Sequence, residues 1–170
     1  PLWVALQGNA FNIHNKQGST MPYHNLLKGR YSETGREYLI TTSTQQRKPV
    51  FRNLYATRLL IMEMQRLKTE KNVTWLTWVI MPDHLHGLIS LGDGQSLSEI
   101  MNTLKGRSAH SINKLLNQQG PFWQNGFHDH ALRNEEDRLA ISRYIVANPL
   151  RAGLVKKLGD YPHWDSVWLE

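Results

Sequence analysis

Hydrophobic and polar positions first alternate regularly at residues 36–42, a stretch that is also rich in β-branched side chains. Such alternation predicts a half-buried strand. Residues 73–80 and 84–91 are two further apolar runs, separated only by a short segment that contains Pro82. Proline fixes its own φ and has no N–H group, so this segment favours a tight turn. The two runs are therefore predicted to form a β-hairpin.

Helical spacing appears in two longer segments. Apolar side chains at positions 51, 54, 55, 59, 62 and 67 predict a helix over residues 51–71. A second helix is predicted to begin at Ser96 or Ser98, either of which can serve as its N-cap, and to continue to about Gln118. The Gly-Pro pair that follows ends it.

The C-terminal third predicts one more strand and one more helix. The strand covers residues 127–133. Asn134 is the predicted N-cap of the last helix, which must end near Asn148 because Pro149 disfavours helical geometry at the residue before it. A tail rich in tryptophan and tyrosine begins at Gly153.

The element order β-α-β-β-α-β followed by a helix predicts an α+β protein of the ferredoxin-like split βαβ class. In that class an antiparallel sheet carries helices on one face, and here a C-terminal helix is added. Residues 1–30 have no sustained hydrophobic period and are expected to be a flexible arm or leader. Residues 31–170 are expected to form a single domain.

Composition narrows the class of function. The chain has 170 residues, with 20 Lys and Arg against 14 Asp and Glu, and its net charge of +6 favours an anionic partner such as nucleic acid. The absence of cysteine excludes disulfide frameworks, thiolate zinc sites and cysteine nucleophiles. No apolar run is long enough to span a bilayer, so no membrane partner is expected.

Two histidine pairs are candidates for a metal site. His84 and His86 are separated by one residue on a predicted strand, so both project from the face opposite to Leu85. Imidazole is a common ligand of divalent metal ions. His128 and His130 have the same spacing on the next predicted strand. Spacing alone does not rank the two pairs.

Tyr144 and Asn148 lie four residues apart on the last predicted helix, so their side chains share one helix face. Tyrosine can act as a covalent nucleophile, and a carboxamide oxygen can complete a metal site that has two imidazole ligands. With a histidine pair, these residues would suit metal-assisted attack on phosphate. Ordinary packing of Tyr144 on an amphipathic helix is the alternative.

Several separated segments resemble the HUH single-tyrosine transposases, and more specifically the REP-associated tyrosine transposases. They occur in the family's order and the resemblance covers about residues 30 to 165. The segments are Gly35–Thr41, the stretch Trp78–Ser90 with its Met-Pro-Asp-His-Leu-His-Gly sequence, Trp123–Arg133 and Arg143–Val155.

The resemblance selects His84 and His86 over the second pair as metal ligands. It implies that Tyr144 is the nucleophile, that Asn148 is the third ligand, and that the metal is Mg²⁺ or Mn²⁺. His130 falls in a family-like segment and is expected close behind the site. Family members cleave single-stranded DNA beside palindromic hairpins, leave a 5′-phosphotyrosine and a free 3′-OH, and rejoin strands.

The expected partner is therefore single-stranded or hairpin DNA in the bacterial cytoplasm, associated with the nucleoid, and the protein is expected to be a monomer or a homodimer. Two rival functions use the same fold: a catalytically idle module that binds hairpin DNA or RNA, and a phosphodiesterase that uses water. Basic and aromatic side chains are the candidate DNA contacts. These are Arg36, Tyr38, Lys105, Arg107, Arg143 and Arg151, with the tail aromatics Tyr161, Trp164 and Trp168 as further stacking candidates.

Overall fold

The computed structural model describes residues 35–133 and 136–168. The expected N-terminal arm, residues 1–30, lies outside this part of the chain. The strands and longer helices are β1 (Glu37–Ser43), α1 (Leu54–Lys71), β2 (Thr74–Met81), β3 (His84–Ser90), α2 (Leu97–Leu115), β4 (His128–Ala131), α3 (Arg138–Val146), α4 (Asn148–Arg151) and β5 (Trp164–Ser166).

The strands form one sheet in the order β4-β1-β3-β2-β5, and every neighbouring pair is antiparallel. The first four strands have the order of the ferredoxin-like split βαβ fold, so the predicted fold class is confirmed. β5 was not predicted, because it is only three residues long and lies within the aromatic tail. It pairs with β2 and covers one edge of the sheet.

The two faces of the sheet are covered by different helices. Ile40, Ile80 and Leu85 belong to a core that also contains the buried side chains of α1 and α2. On the other face, Val79, Met81 and Leu88 pack with Ile141 and Ile145 of α3. The added C-terminal helix therefore lies on the face opposite to α1 and α2. None of the described helices is long and apolar enough to cross a membrane.

The structure tests the predicted N-caps of two helices. Ser96, and not Ser98, is the N-cap of α2, and it forms a capping box in which its hydroxyl accepts from the backbone N–H of Glu99. The prediction that Asn134 caps the last helix was wrong. Asp137 is the N-cap of α3, and its carboxylate accepts hydrogen bonds from the backbone N–H groups of Leu139 and Ala140.

The last helix ends slightly earlier than predicted. α3 stops at Val146, and the short helix α4 begins at Asn148 with Pro149 in its first turn. Proline suits that position because its missing N–H group needs no partner there and its φ is already helical. The chain therefore bends at Ala147, between the helix that carries Tyr144 and the turn that carries Asn148.

A buried group of three hydroxyls joins α3 and β5 to the sheet. Thr77 Oγ1 lies 2.8 Å from Ser142 Oγ on α3 and 2.9 Å from Ser166 Oγ on β5. Thr77 and Ser142 are fully buried. Buried hydroxyl groups depend on such partners because solvent cannot replace them.

Replacing Thr77 with valine should destabilise the protein by about 1–3 kcal/mol, because the buried Ser142 hydroxyl would lose a partner. Urea unfolding followed by circular dichroism measures the change. Thr74→Val is the matched control, since Thr74 is an exposed threonine at the start of the same strand. Equal losses in the two variants would contradict a structural role for the hydroxyl group.

Candidate active site

The histidine pair of β3 lies on the face that α3 covers. His86 is aligned between Thr41 of β1 and Val79 of β2, and His84 between Ser43 and Met81. Aligned neighbours on adjacent strands point to the same face, and Val79 and Met81 pack against α3. The two imidazole rings are 4.7 Å apart, centroid to centroid, and perpendicular to each other.

Each histidine is held through its Nδ1 atom. The His84 Nδ1 lies 2.5 Å from Asp83 Oδ1, and the His86 Nδ1 lies 2.7 Å from Thr41 Oγ1. When Nδ1 is held by a partner, the ring orientation is set and Nε2 is left to bind a ligand. His84 and His86 therefore lie side by side, and the ring orientation of each is set by its hydrogen bond.

Both imidazoles are held in the neutral form. Burial lowers the pKa of His86 to about 3, and the neighbouring His84, Arg151 and Arg47 contribute smaller shifts in the same direction. Burial also lowers the pKa of His84, although the Asp83 carboxylate opposes that shift. A neutral imidazole is the form that binds a metal ion.

Arg47 closes the site on the side of the hairpin turn. Its guanidinium lies 3.4 Å from Asp83 Oδ2 and 3.4 Å from His84 Nδ1. Arg47 and Gln46 both have positive φ values, 54° and 57°. Such backbone geometry costs free energy for residues other than glycine. Arg47 is absent from the candidates that the sequence suggests, since its contact with His84 depends on this unusual turn.

Tyr144 and Asn148 are brought together with Arg151 at the end of α3. The guanidinium carbon of Arg151 lies 3.9 Å from the centroid of the Tyr144 ring. One guanidinium nitrogen donates to the Tyr144 carbonyl oxygen at 3.0 Å, and the other donates to Asn148 Oδ1 at 2.8 Å. Arg151 is also near enough to lower the pKa of His86. The charge of Arg151 therefore acts both on the helix residues that it contacts and on His86.

His128 and His130 lie on the same face of the sheet as His84 and His86, but on β4, which is separated from β3 by β1. The register aligns His128 with Thr41, and Thr41 in turn with His86, so the three residues form one row across three strands. His130 is aligned with Leu39, one row away, and its Nε2 lies 3.0 Å from the Glu136 carboxylate. Of the second pair, His128 is thus in the row of His86, whereas His130 lies within hydrogen-bond distance of the Glu136 carboxylate.

Two of the candidate DNA contacts have structural roles instead. Tyr38 is buried in the core under α1 and α2, so its ring cannot stack on a base without leaving the core. Lys105 donates from Nζ to the carbonyl oxygens of Gln124 and Gly126, at 2.8 and 2.5 Å. Burial lowers the pKa of Lys105. Tertiary packing thus engages both side chains in this structure, and their contacts with DNA stay a prediction.

The remaining basic candidates are exposed or half-buried, and their DNA contacts stay a prediction. Arg107 is on α2, behind the sheet as seen from the histidines, and its guanidinium is 2.6 Å from the Glu70 carboxylate. Arg143 is exposed on α3, and Arg36 is half-buried just before β1. Arg151 is exposed and makes the contacts described above.

The aromatic tail mainly packs on the sheet. The Tyr161 hydroxyl donates to the Ile80 carbonyl oxygen at 2.7 Å, and Trp164 lies in β5 beside Val79. Both side chains pack against the apolar cluster under α3. Trp168 is 39% exposed and is the tail aromatic that keeps a free surface for stacking.

The pKa of His86 predicts that the metal-free protein loses stability in acid. In the unfolded chain His86 takes up a proton near pH 6.5, whereas in the folded protein it stays neutral down to about pH 3. The unfolded state binds more protons in that window, so stability falls as the pH decreases. Urea unfolding at about pH 7.5 and about pH 5 should differ by about 2 kcal/mol. The same difference in His86→Gln, which cannot titrate there, would contradict this assignment.

Comparisons with known proteins agree with the fold and the order of the motifs. Residues 32–148 match the family described as IS200-like transposases. A REP-associated tyrosine transposase of Escherichia coli K12 is 31% identical over 98 residues, which are 57% of this chain and 56% of that protein. The match thus spans little more than half of the relative's length.

A solved structure is similar over a larger part. It is described as a REP-associated tyrosine transposase bound to a REP hairpin, is 26% identical, and superposes with a TM-score of 0.68 over 79% of each chain. The resemblance stated from the sequence is confirmed. Since the matched segment covers well over half of the chain, from before β1 to the bend after α3, this chain belongs to the IS200-like transposase family.

Proposed function

We propose that the protein is a metal-dependent endonuclease and strand transferase that acts on single-stranded DNA beside palindromic, REP-like hairpins. The observation that carries this proposal is that α3, with Tyr144, packs on the sheet face that presents His84 and His86. In the family that the chain belongs to, this combination would join a nucleophile to a metal site. The net charge of +6 is consistent with a DNA substrate.

The residues present fit a divalent metal ion. His84 and His86 are neutral, adjacent and oriented through Nδ1, and Asn148 contributes a carboxamide oxygen from the helix on the same face. Within residues 35–133 and 136–168 no group of three or more His, Cys, Asp or Glu side chains could hold a metal. We therefore assign the third protein ligand to another type of side chain, the Asn148 carboxamide. Two nitrogen ligands favour Mn²⁺ somewhat over Mg²⁺.

When bound, the metal would polarise a phosphate oxygen and hold the phosphodiester for in-line attack. The hydroxyl oxygen of Tyr144 would attack phosphorus, forming a tyrosyl phosphodiester while the bond from phosphorus to the 3′-oxygen breaks. The phenol loses its proton and the departing 3′-oxygen gains one. Since the new ester keeps the energy of the broken bond, a 3′-OH can later reverse the step without ATP.

The structure of the similar protein bound to a REP hairpin supports hairpin DNA as the ligand class. Action on bacterial chromosomal DNA in the cytoplasm belongs to the same proposal, and the expected oligomeric state remains a monomer or a homodimer. Recognition of the hairpin without cleavage is the second candidate, because Asn148 is hydrogen-bonded to Arg151 and not free in the structure.

Tyr144→Phe should abolish covalent attachment to DNA, because the nucleophilic oxygen is removed while the ring is kept. The assay incubates the protein with a labelled single-stranded hairpin oligonucleotide and Mn²⁺, and denaturing electrophoresis detects the adduct. Tyr55→Phe is the matched control, since Tyr55 is 65% exposed on α1, behind the sheet. It should retain the adduct at the level of the wild type.

The rival functions give different results in this assay. Cleavage by Tyr144→Phe without an adduct would mean that water is the nucleophile. Binding of the hairpin by the wild-type protein, with neither cleavage nor adduct at any metal concentration, would identify an idle binding module.

His84→Ala and His86→Ala should each reduce adduct formation by at least about 100-fold, the upper end of the loss found when metal sites are perturbed. Chelation of the metal should have the same effect on the wild type. His110→Ala is the control, because His110 is an exposed histidine on α2, on the other side of the sheet. Full activity in both β3 variants would exclude the histidine pair from the chemistry.

A further inference from the structure

Arg151 makes three contacts with the two helix residues of the candidate site. Its guanidinium stacks on the Tyr144 ring at 3.9 Å, donates to the Tyr144 carbonyl oxygen at 3.0 Å, and donates to Asn148 Oδ1 at 2.8 Å. Arginine can make several such contacts at once because its guanidinium is planar and carries five donors. One exposed side chain therefore holds both the candidate nucleophile and the candidate third ligand.

The Asn148 carboxamide is engaged at both ends. Its nitrogen donates to the Ile145 carbonyl oxygen at 2.8 Å, which directs the oxygen away from the helix and towards Arg151. The oxygen is the atom that a hard divalent cation binds. In the metal-free protein this atom already has a cationic partner.

A metal ion and the Arg151 guanidinium would compete electrostatically for the same place. Both are cations, and Arg151 already contributes a positive potential at His86. A hydrogen bond to a charged donor is among the stronger ones, so the guanidinium is not displaced without cost. The positive charge of Arg151 and its hydrogen bond to Asn148 Oδ1 should therefore both weaken metal binding.

We propose that Arg151 is a positioning residue that occupies the Asn148 carboxamide oxygen in the metal-free protein and must release it when the metal binds. This inference rests on the proposed metal site. Because the same guanidinium also contacts Tyr144, release of the oxygen would couple metal binding to the surroundings of the candidate nucleophile.

A simpler role is the capping of α3. The hydrogen bond from Arg151 to the Tyr144 carbonyl oxygen lies near the end of that helix, where basic side chains often satisfy free carbonyl groups. Capping alone would affect the stability of the protein and would leave its affinity for metal unchanged. Metal affinity therefore separates the two roles.

The test is calorimetric titration of Mn²⁺ into the full chain without DNA. Arg151→Ala should bind Mn²⁺ roughly three- to tenfold more tightly than the wild type, a modest gain because Arg151 is exposed. Arg151→Gln, which keeps more of the side-chain volume, should behave similarly. Arg58→Ala is the charge control, since Arg58 is an exposed arginine on α1, behind the sheet.

The double variant Arg151→Ala/Asn148→Ala identifies the atom involved. If Arg151 acts by occupying the Asn148 oxygen, removal of Arg151 should give little or no gain once Asn148 is alanine, because the contested ligand is then absent. An equal gain in both backgrounds would mean that only net charge matters, and would overturn the inference. Unchanged or weaker binding by Arg151→Ala would overturn it as well.

His84→Ala separates this inference from the proposed function. If His84→Ala weakens Mn²⁺ binding but Arg151→Ala does not strengthen it, the metal site stands and the role of Arg151 is wrong. If His84→Ala binds Mn²⁺ as the wild type does, the metal site fails and the inference fails with it.

Discussion

The two-residue repeat of β3 is the constraint on which the candidate site depends. Leu85 and Ile89 must face the core under α1 and α2, so His84, His86 and Leu88 necessarily face the other side. If the pairing of β3 shifted by one residue, the imidazoles would lie under α1 and α2, and Leu85 would turn to the opposite face. The hydrophobic core that stabilises the fold therefore also sets the face on which the site is built.

Without α3, that second face of the sheet would expose apolar side chains to solvent. Two isoleucines of α3 pack on the apolar side chains of β2 and β3. The hydrogen-bonded hydroxyls of Thr77, Ser142 and Ser166 join the helix to β2 and β5. The same helix carries Tyr144, and the bend that follows it carries Asn148 and Arg151. Packing of one short helix thus supplies most of the candidate chemistry that β3 lacks.

The elements with strong periodicity could be predicted almost to the residue. The β2–β3 hairpin and α2 follow directly from apolar alternation, a proline turn and a serine cap. The predicted start of α3 was wrong because the sequence offers two capping residues, Asn134 and Asp137, and its periodicity does not choose between them. Tyr38 is a predicted DNA contact, yet its position in the alternation of β1 places its side chain in the core, where it is 2% exposed.

The sequence by itself determined that His84 and His86 share a strand face and that Tyr144 and Asn148 share a helix face, because local backbone geometry sets both spacings. Only the tertiary structure decided that α3 packs on the sheet face that carries the histidines, since the side of the sheet that a helix covers is not set by local geometry. It also decided the histidine partners Thr41 and Arg47, which come from a distant segment and reach the site through strand register and a left-handed turn. Contacts between distant segments leave no period in the chain.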